Sequence, residues 1–308
     1  MSFTMRLYRG EEDFWHIRAF LREIFVLNGR SERTWQAARL DYWRWHVVQN
    51  CGVCDPVERV TYLWEQPNGQ IVAVLNPEGR GEAFFQIHPA FQTAALEATL
   101  LDAAEAHLAV EEDGKRNLTV WADRNDDVLR QEILKQHGYH RGPWPECRRQ
   151  RCLDSIPDVS VPDGYTIRSL GGVEELPARS WASWRGFHPD EPDENYQGWE
   201  WYHAIQRMPL YRRDLDIVAA APGGEIAAFC TLWYDDVTRT GYFEPVATVP
   251  EHQQRGLGKA VMVEAMQRMR AMGGTLVTVG GFNTAANALY ASVMESESRP
   301  LERWEKAW

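Results

Sequence analysis

Between Gln253 and Lys259 the chain reads Gln-Gln-Arg-Gly-Leu-Gly-Lys, two glycines one residue apart among cations, ahead of an apolar run at helical spacing. That combination can hold phosphate. A helix start exposes four backbone N–H groups without intrahelical partners and carries the positive end of the helix dipole. Gly256 and Gly258 lack the Cβ atoms that would keep a phosphate at a distance, and Arg255 and Lys259 add positive charge. No Gly-Lys-Ser/Thr follows, as a P-loop requires, and the G-x-G-x-x-G of a dinucleotide site is missing. Upstream, Glu244 interrupts the otherwise apolar run Tyr242-Phe243-Glu244-Pro245-Val246. A carboxylate there needs a partner or a raised pKa, so it is either a base or an ion-paired strand-end residue.

The elements that must position these residues follow from periodicity. Residues 241–249 read as a buried strand handing over to the glycine turn. Leu257, Val261, Ala265, Met269 and Met272, widened by Met262 and Met266, then mark one face of a helix that Gly273-Gly274 stops. A strand, LVTVGG, and a closing segment from Asn283 to Tyr290 complete the block.

This block resembles the acetyl-CoA-binding core of the GNAT superfamily of N-acetyltransferases, whose signature is Q/R-x-x-G-x-G/A after a V-x-P-type strand end. Val249-Pro250 stands at the lead-in, and Asn283-x-x-Ala286-x-x-Leu289-Tyr290 matches the later N-x-x-A-x-x-L-Y segment. The resemblance implies acetyl-CoA as co-substrate and direct acetyl transfer to a primary amine of a small molecule. It further implies that Ala247, Thr248 and Val249 hold the pantetheine arm, with Asn283 beside it, and that Gln254, Arg255, Gly256, Leu257, Gly258 and Lys259 hold the pyrophosphate. Tyr290 takes the position of the general acid, because a phenol stays protonated at neutral pH yet donates well to a developing thiolate; otherwise it is a tyrosine packed over the helix. Glu244 is the candidate base, with His188 and a water relay as alternatives. The pattern departs at Met294-Glu295, where the family usually carries Gly-Phe. The rival reading is an acyl-CoA-binding sensor or partner-binding module, which needs the glycine loop but neither Glu244 nor Tyr290.

Composition sets bounds on partners. At 308 residues, 44% hydrophobic and 25% charged, the chain can build two globular domains. A net charge of −11 argues against a nucleic-acid surface and leaves room for a cationic substrate. With no run of about 18 apolar residues and no signal-like N-terminus, a cytoplasmic protein without a membrane segment is expected, as monomer or homodimer. Most of the fourteen tryptophans are expected to fill the core. Cys51-x-x-Cys54 and Cys147-x4-Cys152 have spacings zinc could use, but they fall at opposite edges of the expected sheet, so reduced thiols and no metal are expected.

Read in order, the two halves answer each other. Met5-Arg6-Leu7 answers Ile167-Arg168-Ser169, and Trp43-x-Trp45 answers Trp199-x-Trp201. Asn68-Gly69 and Pro222-Gly223-Gly224 each signal a hairpin, and Pro89 answers Pro250, 161 residues on. The expected fold is α/β: two tandem GNAT-like domains, each a mixed, mostly antiparallel twisted sheet flanked by helices, over 1–154 and 164–308 with 155–163 as linker. At the same offset Ala95 and Glu97 stand at Gly256 and Gly258; alignment on the preceding strand sets Arg130 at Tyr290, and alignment on Gly138 sets Leu134 there. The first copy is therefore expected to lack a cofactor loop, since Glu97 would repel a pyrophosphate.

Overall fold

The computed structural model describes residues 3–295 and 297–308. The chain divides into two compact units, residues 1–148 with 299–308 and residues 149–298.

Unit 1 begins with β1 (Thr4–Leu7), α1 (Glu11–Leu27) and α2 (Ala37–Tyr42), the last running on as a π-helical turn over Trp43–Val48. After the short α3 (Val57–Val60) come β2 (Tyr62–Glu65), β3 (Ile71–Asn76) and β4 (Glu82–Ile87). α4 (Ala94–His107), β5 (Val110–Glu112), β6 (Lys115–Asp123), α5 (Val128–Gln136), β7 (His140–Arg141) and β8 (Glu146–Cys152) follow, β8 straddling the division. Strands β1 to β4 form an antiparallel meander, and β4 pairs parallel with β6. The expected hairpin at Asn68-Gly69 forms, with Gly69 at φ 85°, a conformation glycine adopts without steric cost.

Unit 2 holds β9 (Thr166–Ser169), α6 (Leu176–Phe187), α7 (Glu200–Ile205), β10 (Asp216–Ala220), β11 (Ile226–Asp235), β12 (Thr240–Thr248), α8 (Leu257–Ala271), β13 (Leu276–Gly281) and α9 (Thr284–Val293). Strands β9 to β12 are antiparallel, and β13 joins β12 in parallel. α8 buries Leu257, Val261, Met262, Ala265, Met266 and Met269, the face the periodicity marks, against a core that includes Leu215, Ala228, Cys230 and Val279. Residues 156–162 carry no regular structure, yet Ile156 and Val159 pack on this core.

The last strand, β14 (Arg299–Ala307), departs from the expected 164–308 boundary. It pairs antiparallel with β6 from Leu301↔Asp123 to Ala307↔Asn117, so it completes unit 1. The reason lies in its residues. Leu301 and Trp304 enter the core of unit 1, and the buried Glu302 carboxylate accepts from Arg124 at 2.5 Å and ion-pairs with Arg141 at 2.8 Å, cations that unit 1 supplies.

The internal repeat extends to buried polar groups. Arg6 pairs with Asp13 and Arg168 with Glu175, and each acid also accepts a backbone N–H four residues upstream, from Arg9 and Gly171. Arg18 on α1 is buried against Asp41 at 2.7 Å; 161 residues later Arg179 on α6, fully buried, lies 3.4 Å from Asp216. Asp216 also accepts from Tyr202 at 2.5 Å, Tyr211 at 3.0 Å and Thr231 at 3.3 Å, while the Arg179 guanidinium sits 3.5 Å from the Phe229 ring centroid. Removing one partner of such a pair strands a charge in the interior. Asp216→Ala is expected to lower unfolding stability by about 3–5 kcal/mol, measurable by urea denaturation followed by fluorescence; a change under 1 kcal/mol would show that water reaches Arg179.

Candidate active site

Everything expected of the site lies in unit 2, and the sheet itself makes the opening. β12 and β13 pair only over Thr240↔Leu276, Gly241↔Val277 and Tyr242↔Thr278, then part company. On the other side β12 stays with β11 to Thr248↔Ala228, and the Val249 N–H donates to the Ala227 carbonyl at 2.9 Å. Antiparallel ladders alternate, so peptide groups of Ala247 and Val249 face β11 while those of Val246 and Thr248 face the gap. An extended ligand arm can take these groups as a missing strand would. The Thr248 carbonyl already accepts from Gln253 Nε2 at 3.2 Å, which leaves its N–H and both groups of Val246. Val246 was not expected; its role emerges only once the strand's pairing partner is known.

A bulge aims Glu244. The β11–β12 register moves from Leu232↔Phe243 to Cys230↔Val246, so Glu244 and Pro245 oppose Thr231 alone. Pro245 cannot donate to a ladder, and an extra residue bends the strand, the arrangement by which bulges re-aim side chains. The Glu244–Pro245 bond is cis, and the Glu244 carbonyl accepts from Trp233 Nε1. Glu244 is half-buried.

Tyr290, on α9, is buried, and its ring lies over Gly281 at the end of β13, where a Cβ would come within 3.0 Å of Cε2. Burial pushes the phenol well above its usual range, and the charge of Glu244 pushes the same way, so the two candidate residues face each other electrostatically. The phenol therefore stays protonated through neutral pH. Asn283 serves the backbone: its Oδ1 caps α9 by accepting the Ala286 N–H at 2.8 Å.

The glycine turn behaves as the residue types suggest, with one difference of cause. Gln254 at φ 59° and Gly256 at φ 82° are left-handed, and no side chain caps α8. Among the described residues, the N–H groups of Gly256, Leu257, Gly258 and Lys259 find no acceptor. A Cβ on Gly256 would meet nothing within 4 Å, so that face is open to an anion. Gly258 instead makes room for packing, since its Cβ would stand 3.0 Å from Leu289 Cδ2 and 3.4 Å from Thr248 Oγ1. Arg255, exposed, reaches the Glu251 carbonyl at 3.3 Å, and Lys259 is half-buried in the first turn.

The end of α6 abuts β12. Gly186 leaves only enough space for Ala247, whose Cβ would be 2.8 Å from one added there. His188, two residues on, stacks on Trp184 and hydrogen-bonds Glu191 through Nδ1 at 2.8 Å. It is exposed and engaged with a surface carboxylate, while Glu244 and Tyr290 form the inner pair.

The matching place in unit 1 is filled. Thr93 caps α4 through Leu96 N–H at 3.2 Å, and Glu97 is buried on Arg130 at 3.0 Å with Gln92 donating at 2.8 Å. Glu97 and Arg130 are the residues aligned with Gly258 and Tyr290. The strands differ too, because the β3–β4 register runs from Ala73↔Ile87 to Asn76↔Phe84 without a bulge.

The parted parallel pair, the bulged strand and the uncapped glycine-led helix all fall within residues 173–294, which match the acetyltransferase (GNAT) family, and this match supports an acyltransferase. The chain is 26% identical to the mycothiol acetyltransferase of Paenarthrobacter aurescens (strain TC1) over 235 residues, 72% of this chain and 69% of that protein. In fold it is similar to a GCN5-related N-acetyltransferase from Sphaerobacter thermophilus (TM-score 0.65, 19% identity, 99% of this chain and 95% of that one). It is likewise similar to a tandem GNAT protein from the clavulanic acid biosynthesis pathway (TM-score 0.64, 14% identity, 99% and 98%). Among the described residues no helix is long and apolar enough to cross a membrane.

Gly256 tests the turn directly. Gly256→Ala meets no atom but must hold a left-handed φ, which costs about 1–2 kcal/mol. CoA binding should weaken roughly tenfold by calorimetry, and Gly256→Asn, which tolerates that conformation, should recover part of it. Equal binding by all three proteins would mean that the turn does not hold the ligand.

Proposed function

We propose that unit 2 moves an acetyl group from acetyl-CoA directly to a primary amine of a small molecule. The observation that carries this reading is the buried phenol of Tyr290 under the charge of Glu244, beside the open edge of β12. Acetyl-CoA supplies the thioester carbonyl and the leaving thiolate. The N–H groups of Gly256 to Lys259, with Gln254, Arg255 and Lys259 around them, take the pyrophosphate. The Val246–Val249 segment takes the pantetheine arm, and the Asn283 amide nitrogen stands at the start of α9 to meet it.

Glu244 accepts the proton of the attacking amine. As it does so its charge is lost, and with it the second of the causes that hold the phenol up, burial being the first. Tyr290 thus becomes a better acid at the moment a donor is needed by the departing sulfur. A small-molecule acceptor is supported by the name of the mycothiol acetyltransferase relative. Unit 1 serves as the cofactor-free copy, because the Glu97–Arg130 pair occupies the place of the glycine turn and the phenol.

Acceptor screening across polyamines, aminoglycosides, amino acids and peptide N-termini comes first. With an acceptor in hand, Tyr290→Phe should lower kcat by about 10²–10⁴-fold with CoA affinity nearly unchanged. The fold should survive, since the variant keeps the buried ring and removes only a hydroxyl for which no hydrogen bond is seen among the described residues. Glu244→Gln should lower kcat/KM. Full turnover by Tyr290→Phe would make the phenol a packing residue.

Calorimetric titration of the whole chain with CoA is expected to give a stoichiometry near one. A value near two would restore a cofactor site to unit 1.

A further inference from the structure

Within the acetyl-CoA reading of unit 2, the place of the acyl group follows from the direction of the ligand. With the pyrophosphate on the N–H groups of Gly256 to Lys259 and the pantetheine along Val249 to Val246, the arm runs backward along β12 toward the last pair that β12 makes with β13, Tyr242↔Thr278. The acyl group is therefore the deepest part of the ligand. What stands between it and that last pair decides how long an acyl chain the site can take.

Carried one step past Tyr242↔Thr278, the register sets Phe243 level with Val279, and the next steps set the bulged Glu244-Pro245 level with Gly280-Gly281. The two glycines put no side chain into the gap, and the Tyr290 ring lies over the second. A thioester carbonyl fits at that level. One residue deeper, about 3.3 Å along the strand, the gap is closed on both faces of the sheet. Side chains alternate along a strand, so Phe243 and Val279 share the face toward α8, where they are 1% and 0% exposed in one core with Leu232, Met266 and Met269. On the opposite face, which Thr231 shares with Arg179 of α6, Tyr242, its partner Trp233 and Thr278 are all buried. Trp233 is anchored there as well, since its indole N–H donates to the Glu244 carbonyl.

We infer that Phe243 and Val279 set the length of the acyl chain that unit 2 accepts, admitting acetyl and excluding butyryl and longer chains. The acetyl methyl ends at the level of the glycines. Further methylenes run into a packed core, where insertion forces neighbouring side chains off their rotamers. Were the gap open at that depth, the same methylenes would be buried and would raise affinity instead, so the two cases differ in sign. The inference rests on the acetyl-CoA reading of unit 2, and the experiment separates the failure of one from the failure of the other.

The test is calorimetric titration of the full chain with CoA, acetyl-CoA, propionyl-CoA and butyryl-CoA, and it needs no acceptor. Acetyl-CoA should bind about as tightly as CoA, and butyryl-CoA about tenfold or more weakly than acetyl-CoA, with propionyl-CoA between them. Val279→Ala and Phe243→Leu each trim the closure. Each should bring butyryl-CoA to within about threefold of acetyl-CoA, the two thioesters being compared in the same protein. The wild-type comparison stands even where a variant fails to fold. Butyryl-CoA binding the wild type as tightly as acetyl-CoA, or both variants keeping the wild-type gap, would overturn the inference and leave the acetyl-CoA reading in place. Failure of CoA itself to bind would overturn both.

Discussion

The site exists because two parallel strands stop pairing. After Tyr242↔Thr278 the edge of β12 presents backbone groups that neither β13 nor any other described strand satisfies. Residues 246–249 are half-buried, and peptide groups without partners there can pair with a strand-like ligand. In the proposed reading an extended ligand arm takes that edge. The remaining features of unit 2 then follow. The bulge at Glu244-Pro245 bends β12 at the mouth of the gap, α8 begins with bare amides just past its end, and Gly281 lets Tyr290 settle over its floor.

Unit 1 shows the same opening answered differently. Its parallel pair β4–β6 also pairs briefly, at Glu82↔Thr119 and Ala83↔Val120. Here the interior is occupied by the chain itself, by Glu97 and Arg130 where unit 2 has Gly258 and Tyr290. Two substitutions are coupled in that exchange. Without Arg130 the buried Glu97 carboxylate would keep only the neutral Gln92 donor, whereas Arg130 without Glu97 would keep Asp127 at 3.3 Å. The step back toward tyrosine at Arg130 is therefore the costlier of the two single reversals.

Much of this was legible in the residues. The helical stripe of α8, the two hairpin turns and the repeat announce themselves through spacing, because period and glycine content are local properties. The exchange of Gly258 for Glu97 was visible as well. What local reading could not supply were pairing partners. Val246 gains its role from the ladder phase set by β11; Gly258 needs its missing Cβ because of Leu289, thirty-one residues away. Asn283 matches a ligand-contacting position, and the motif did not show that its Oδ1 also caps α9. The assignment of the last strand failed for a related reason. The alternation of Leu301, Glu302 and Trp304 says that residues 299–307 form a strand, and only Arg124 and Arg141, far upstream, say which sheet accepts it.

The buried arginines explain how the same scaffold serves both outcomes. Arg18 and Arg179 stand on the first long helix of each unit, paired to Asp41 and Asp216 and packed on aromatic rings. Such pairs contribute little net stability over apolar packing, yet they admit few alternative geometries because each guanidinium must meet its carboxylate in a fixed fork. In unit 2 the constraint reaches the site: Asp216 on β10 and Thr231 on β11 are tied to α6, and the end of α6 rests on Ala247 through Gly186. Thr231 is also the residue that faces the bulge. The network that orients α6 therefore also holds the strand opposite Glu244, so the position of the proposed base is set from behind the sheet by a charge pair that never meets the substrate.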